Sequence, residues 1–469
     1  MLVTIIRKEI LTNITSLRFV LTLLLVTAIF VVSGFVFVDK HKQEISDFTV
    51  ESNKNLAGLN ESAKNLSRVT SYVQTIYKQP KITQVFCEGF EKTLPNTFEM
   101  NVFSIRNPRT IGRTNFLFQR FADIDWVFVI SVILSFVALL LTFDSLSAER
   151  ERGTLSLIIS NSLPRDKVIL GKYVSAILTL MIPLFFGLLI NLIIINISGF
   201  VISGGQWLKI TAFVGISILY LSIFLLIGIL VSSRSAKSSS SIVMLLFIWV
   251  ILVIVIPACG RIVSERFVQV PSRPEVDRRI EEARSEIWKN AESYGKNAGN
   301  WAGDKLDVDW VNPPARARLV NAITDTRNLI NEEYINQIIE QVKFGRNVTK
   351  ISPSVIYQSA SEATIGTGVS RFGNLYGQLK IYKDILKSFI MDEDKRESES
   401  RHLLAEGHPI LLSQKPVDYN SIPRFSELDI PMRGALKTAL WDIGALILLN
   451  LMLFMAVYVS FLRCDVRQK

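Results

Sequence analysis

"SAERERGTLSLIISNSLPRDKVILGKY", residues 147–173, runs from dense charge through an apolar stretch to turn residues and back to charge. Upstream lies "WVFVISVILSFVALLLTF" (residues 126–143), and downstream Tyr173 opens another apolar run to residue 198. A hydrocarbon core of about 30 Å takes about 20 mostly apolar residues as helix. Both flanks are long enough to cross it, so the charged segment between them has to surface in water before the chain goes back. That makes the chain an integral membrane protein.

The same pattern recurs along the sequence. Hydrophobic residues make up 49% of the 469 positions, and they are gathered in runs rather than spread at helical or strand spacing. Six runs qualify as spans: residues 17–38, 126–143, 173–198, 207–231, 241–258 and 438–462. Their unbroken apolar character predicts helices, since barrel strands would alternate. The first run exceeds a signal-peptide core and has no A-x-A-like site after it, so it is expected to stay as an anchor. Ahead of it, "MLVTIIRKEILTNITSLRF" sets Ile5, Ile6 and Ile10 beside Arg7, Lys8 and Glu9, the pattern of a helix lying in the membrane interface.

Basic residues orient the spans. With the N-terminus inside, the cytoplasmic pieces are residues 1–16, the 144–172 segment, the loop "SSRSAKSSS" (residues 232–240) and the tail "RCDVRQK"; each carries Lys or Arg, and short loops with that bias stay inside. The net charge of +10 divides accordingly. Residues 39–125 hold 12 Lys+Arg against 10 Asp+Glu and residues 259–437 hold 26 against 25, leaving 14 against 7 for the remainder. The basic excess therefore faces the cytoplasm, where it suits anionic lipid or a soluble partner, and a nucleic-acid role loses its main support.

These readings predict an all-α membrane protein with six transmembrane helices and both termini cytoplasmic. Its order is an interfacial helix (1–16), span one (17–38), an outer insertion (39–125), span two (126–143), a cytoplasmic elbow (144–172), spans three to five (173–258), a second outer insertion (259–437), span six (438–462) and a cytoplasmic tail (463–469). The second insertion carries charge-dense helical stretches with prolines at its joints, and Leu319, Ile323, Ile330, Tyr334 and Ile338 fall near one helical face. The two insertions are expected to form one mainly helical extracytoplasmic domain. Cys87 and Cys259 both fall on the outer side, where a bond between them is one option, while Cys464 falls inside.

Catalytic signatures are missing. "ILGKY" lacks the leading glycine and following hydroxyl of a P-loop, and no G-x-S-x-G or H-E-x-x-H occurs. His41, His402 and His408 match no zinc spacing. No enzyme, metal or cofactor site is expected in this chain.

Within the elbow, Glu149 and Arg152 are spaced to pair across a helical turn. Gly153 costs about 1 kcal/mol in a helix interior, which points to a bend or a close backbone contact. Leu155, Ile158 and Ile159 then form an apolar face before "NSLPRDK" restarts a helix, with Ser162 as N-cap and Pro164 in the first turn. Such a ridge suits docking into a groove on another protein, or resting in the headgroups.

Family resemblance separates these alternatives. The pattern E-x-E-x-G-T-L-x-L-x-x-S-x-x-x-x-R-x-x-x-x-x-G-K, carried by Glu149, Glu151, Gly153, Thr154, Leu155, Leu157, Ser160, Arg165, Gly171 and Lys172, resembles the cytoplasmic elbow of type-2 ABC transporter permeases. The basic start "IIRKEI" and the six spans resemble that family too, and the long outer loops resemble its subgroup with large extracytoplasmic insertions, including "SPSVIYQSASEATIGTG" (residues 352–368). The resemblance implies an exporter permease in the cell membrane, and makes the elbow a coupling helix. It implies a separate ATPase subunit that binds ATP and Mg, and a second permease chain. Glu149, Glu151 and Arg152 would make rim charge pairs of that interface, Gly153 would permit close approach, Leu155 and Ile158 would be its anchors, and Thr154 and Arg165 would belong to it. The same ATPase stroke could instead move the outer domain to regulate or assemble an envelope partner.

Polar residues inside the spans are candidates for a transport path: Asn191 and Asn196 in the third, Asp442 and Asn450 in the sixth. The alternative for each Asn is a hydrogen bond to a neighbouring helix, and for Asp442 a position within reach of outer water.

Overall fold

The computed structural model describes residues 2–106, 124–154, 164–299, 312–407 and 412–463. In a bilayer each backbone group must be satisfied within its own segment, and the apolar runs accordingly become helices. Six helices among the described residues are long and apolar enough to cross a membrane. The chain is an all-α integral membrane protein, with one two-stranded ribbon among the described residues.

Helix α1 (Leu2–Ile14) is short and lies on the start of the later helix α6 (Arg165–Ile197). Its approach depends on Gly171, where a Cβ would stand 2.8 Å from Ile5 Cγ2. Ser16 caps α2 (Leu17–Ser62), its hydroxyl accepting the Phe19 N–H at 3.2 Å. At 46 residues α2 is about 69 Å long. It outruns the expected span, 17–38, because nothing from residue 39 to 62 breaks a helix: there is no proline and only one glycine, Gly58. The first insertion therefore begins as a helical stalk.

The second span is α4 (residues 126–142), which contains a π-helical turn at Val129–Leu134, and the short α5 (Ser147–Glu151) follows it. After α6 come α7 (Gly204–Arg234), α8 (residues 238–267, with a second π turn at Val250–Val255) and, at the end of the chain, α13 (Met432–Leu462). Helix α7 is the axis of the bundle. Phe213, Tyr220, Ile223, Phe224 and Leu225 bury it among α4, α6 and α13, whereas α2, α8 and α13 leave broad apolar faces open, as lipid-facing helices do.

The two insertions share their cores. In the first, α3 (Leu66–Ser71) precedes β1 (Gln74–Tyr77), which pairs antiparallel with β2 (Thr97–Met100) from Gln74–Met100 to Tyr77–Thr97. The second supplies α9 (Arg273–Lys289), α10 (Pro313–Thr349), α11 (Pro353–Ile365) and α12 (Gly368–Asp394). Ile76, Phe98 and Met100 pack on Ile335, Phe372, Leu375 and Leu379, and Leu59, Leu66 and Phe103 on Leu386 and Ile390. On α10 the expected face packs at Leu319, Ile323 and Tyr334, and farther along the core also takes in Ile335, because α12 approaches from that side. The Cys87–Cys259 bond is not formed: Cys87 is buried in the membrane-domain core and Cys259 is exposed. Cys464 and His408 lie outside the described residues, and His402 bonds Asp394 through Nδ1 at 2.8 Å.

Candidate functional site: the elbow and its mountings

The ends of α2, α4, α6, α7, α8 and α13 that lie away from the insertions gather around the elbow. The amides of Leu146 and Ser147 both donate to Ser232 Oγ at 3.0 Å, and Ser241 Oγ donates to the Phe143 carbonyl at 2.7 Å. Arg150 donates to the carbonyls of Ser233 (2.8 Å) and Ser235 (3.0 Å), covering the last turn of α7. Glu151 accepts the Ser238 N–H at 3.2 Å and its hydroxyl at 3.1 Å, placing a carboxylate on the N-terminus of α8. The Ser-rich loop, which reads in the sequence as low complexity, is the seat of the elbow. Its signal was the density of small hydroxyls between two spans, where one of them, Ser232, takes two backbone amides.

Gly153 has φ +73°, a left-handed conformation that a side chain would strain. The chain therefore turns there, with Glu151, Arg152 and Thr154 exposed around the turn. Leu155, Ile158 and the N-cap candidate Ser162 lie outside the described residues. The return limb starts at Arg165 with Pro164 in the cap position. Arg165 is committed to the bundle, its guanidinium donating to the Leu462 carbonyl at 2.8 Å on the last turn of α13.

Glu149 corrects the sequence-based pairing. Its carboxylate does not meet Arg152 but turns back to Lys172, with Nζ at 2.7 Å. Lys172 holds a second carboxylate, that of Glu9 on α1, at 3.0 Å, and its side chain is 5% exposed. Burial of an ammonium demands such partners. The spacing of residues 149 and 152 on a helix fitted a local pair, but a buried amine across the neck of the elbow competes more strongly than a solvated guanidinium. Glu9 went unnoticed as a site residue; a lone acid on an otherwise basic and apolar interfacial helix was its only signal.

Three of the four candidate path residues are engaged between helices. Asn191 is fully buried and donates to the Phe30 carbonyl of α2 at 3.0 Å. Asn450 donates to the carbonyls of Leu219 (2.9 Å) and Leu446 (2.8 Å) and accepts from Ser222, which also meets the Tyr173 hydroxyl, so one polar chain ties α6, α7 and α13. Asp442 is paired with Lys350 at the end of α10, at 2.6 Å. Asn196 alone is exposed, near the end of α6.

At the opposite end of the bundle, α11 fits into the membrane domain, packed on α7 and α13 with nearly every residue buried. A π turn leaves a carbonyl without its usual helical partner, and both such turns are served by hydroxyls. Ser352 and Ser354, at the start of α11, donate to Leu252 in α8, the second at 3.3 Å. Tyr220 of α7 donates to Ser131 in α4 at 2.9 Å. Tyr220 also stacks on Tyr357 of α11, ring centres 4.5 Å apart and planes 16° from parallel, and the Tyr357 hydroxyl meets Ser217 at 2.9 Å.

Beyond α11 a charged collar joins both insertions. Glu362 pairs with Arg346 at 2.7 Å and accepts the Phe90 N–H at 3.0 Å, while Gly89 and Gly368, at φ +57° and +69°, press against its carboxylate. Arg371, 2% exposed, bridges Glu91 (2.6 Å) and Glu427 (2.7 Å). Burial pushes the Glu427 carboxyl up, but the Arg371 and Lys81 cations outweigh it and hold its pKa below the ordinary value.

Among comparisons with known proteins, no curated protein matches the chain. A family model described as "ABC-2 family transporter protein" matches residues 3–466, which takes in the interfacial helix, the elbow, all six spans and both insertions. Members of that family are membrane subunits that work with an ABC ATPase. The chain belongs to the ABC-2 transporter family and is the membrane permease component of an ABC transporter.

Proposed function

We propose that a separate ATPase subunit drives this permease through the elbow of residues 144–172. Glu151, Arg152, Gly153 and Thr154 form the contact surface, Leu155 and Ile158 are its apolar anchors, and Glu149 and Arg165 hold the elbow on the spans. ATP and Mg belong to that partner. The elbow and both termini face the cytoplasm of the cell membrane, as the distribution of basic residues indicates, and two permease chains pair with two ATPases to export a substrate. Asn196, exposed, is the candidate kept for the transport path.

The observation that carries this reading is the mounting. Among the described residues, Glu149, Arg150, Glu151 and Arg165 are each fastened to the end of a span, while Arg152 and Thr154 at the glycine turn are presented outward. A push on that turn has rigid routes into α6, α7, α8 and α13. Purification from native membrane in mild detergent tests it: an ATPase should accompany the wild type and be lost from the Gly153→Arg, Leu155→Asp double variant. An ATPase retained equally by both would reject the elbow as its dock.

Helix α11 favours a second reading, in which the stroke also moves the outer domain to act on an envelope partner. A helix of the second insertion bonded to the π turn of α8, and linked through Tyr220 to that of α4, is a mechanical link. Hydrogen exchange with and without ATP on the assembled complex separates the readings. Mechanotransmission expects an ATP-dependent change in α12 that Tyr357→Ala abolishes; an exporter with a static outer domain expects none.

A further inference from the structure

Helix α1 has no role in the elbow as read above, yet it contributes one of the three charges at the elbow's neck. Glu149 stands on the outgoing limb, in α5, and Lys172 on the return limb, in α6; their 2.7 Å ion pair closes the neck. Glu9 reaches the same ammonium from α1 at 3.0 Å. The ammonium is buried and the carboxylates are half-buried: Lys172 is 5% exposed and the carboxylates 22% and 23%. Glu149 Oε2 makes no hydrogen bond, and among the described residues Lys172 is the cation paired with both acids.

One further contact joins α1 to the neck, and another joins the start of α2 to it. Ile5 sits against Gly171, a fit that a Cβ there would prevent. Arg18, just past the turn that joins α1 to α2, pairs with Asp144 at 2.8 Å, at the root of the outgoing limb. Helix α1 is thus joined directly to the return limb and the start of α2 to the outgoing one, each time by residues far apart in sequence.

We propose that Lys172 and Glu9 are positioning residues for coupling: the Glu149–Lys172–Glu9 cluster locks the elbow and the interfacial helix into one body, so that an ATPase stroke on the elbow displaces α1 along the membrane surface together with α6. This rests on the elbow being the ATPase dock. The physical basis is the burial. An exposed pair would let go under load, whereas separating Lys172 from either acid leaves a charge unpaired in a poorly solvated place. The lock is therefore stiff in the ground state, and α1 and the elbow cannot move independently.

The test uses the full chain co-purified with its ATPase, as wild type, Lys172→Met, Lys172→Arg and Glu9→Gln. Hydrogen exchange is read over residues 2–14 and 147–154, and ATP turnover and ATPase retention are read on the same preparations. Lys172→Met should raise exchange in both segments by on the order of tenfold, and lower turnover while the ATPase stays bound. Glu9→Gln, the milder change, should loosen residues 2–14 only, with a smaller fall in turnover. Lys172→Arg, which keeps the charge, should recover part of the turnover; a purely packing role for the methylenes would make Met the better substitute. Unchanged exchange over residues 2–14 in both Lys172→Met and Glu9→Gln overturns the lock. So does wild-type turnover in a variant whose exchange has risen. Should the wild type retain no ATPase, it is the docking reading that fails, and the exchange data still decide whether α1 is fastened to the neck.

Discussion

Tyr357, on a helix of the second insertion, lies stacked against Tyr220, on the central span, with ring centres 4.5 Å apart. Tyr220 at the same time satisfies a carbonyl released by the π turn of α4, and Tyr357 meets Ser217 one turn away on α7. The domain built from the two insertions is therefore seated in the membrane bundle by a helix that shares its core. Tyr357→Ala should open a large cavity and destabilise the protein by about 3 kcal/mol. Tyr357→Phe, which loses only the hydrogen bond, should cost about 1 kcal/mol. Thermal unfolding in detergent reads both, and equal effects of the two variants would show that the ring packing contributes little.

Gly153 turns the elbow at φ +73°. Alanine there should strain the turn by about 1–2 kcal/mol, whereas asparagine, which tolerates that conformation, should be milder. Coupled ATP turnover is expected to rank wild type above Gly153→Asn above Gly153→Ala, with the thermal stability of the spans little changed. A ranking with alanine above asparagine would mean that size, not backbone conformation, governs the position.

Acid should weaken the charged collar. The folded pKa of Glu427 is depressed by Arg371 and Lys81, so its ionisation stabilises the fold above the ordinary glutamate value of 4.5 and that contribution is lost as pH falls through the lower, folded value. A fluorescence melt of the intact protein should show falling stability below about pH 4.5, with a flatter profile in Glu427→Gln. Identical profiles for the two proteins would remove Glu427 from the collar's balance.

Asn191 bonds a backbone carbonyl across to α2 and is closed to solvent. Asn191→Leu should cost about 1 kcal/mol of stability, within the range of interhelical hydrogen bonds in bilayers, and leave coupled turnover near wild type. Loss of transport with unchanged stability would return Asn191 to the substrate path.

How much of this was legible in the sequence follows from what each signal measures. The spans were, because apolar runs report burial in lipid without reference to any neighbour. So was the turn at Gly153, a local conformational demand. The length of α2 was hidden because hydropathy marks where a helix leaves the bilayer, not where it ends; residues 39–62 are polar yet perfectly able to continue a helix. The use of Asn191, Asn450 and Asp442 was hidden because a polar residue in a span looks alike whether it faces a path or a partner, and the partners, Phe30, Leu219 and Lys350, are distant in sequence. Glu149 was misassigned for the same reason: its neighbour on the helix was visible, and Lys172, on the return limb, was not.

The central claim is that the turn at Gly153 touches an ATPase. A photocrosslinking residue at Thr154, exposed beside that turn, can be activated in native membranes, with the same residue at Leu428, exposed at the opposite end of the molecule, as the comparison. The account predicts an adduct from Thr154, and none from Leu428, whose partner peptides contain a P-loop. A P-loop ATPase captured from neither position, in membranes where the transporter is active, would contradict it.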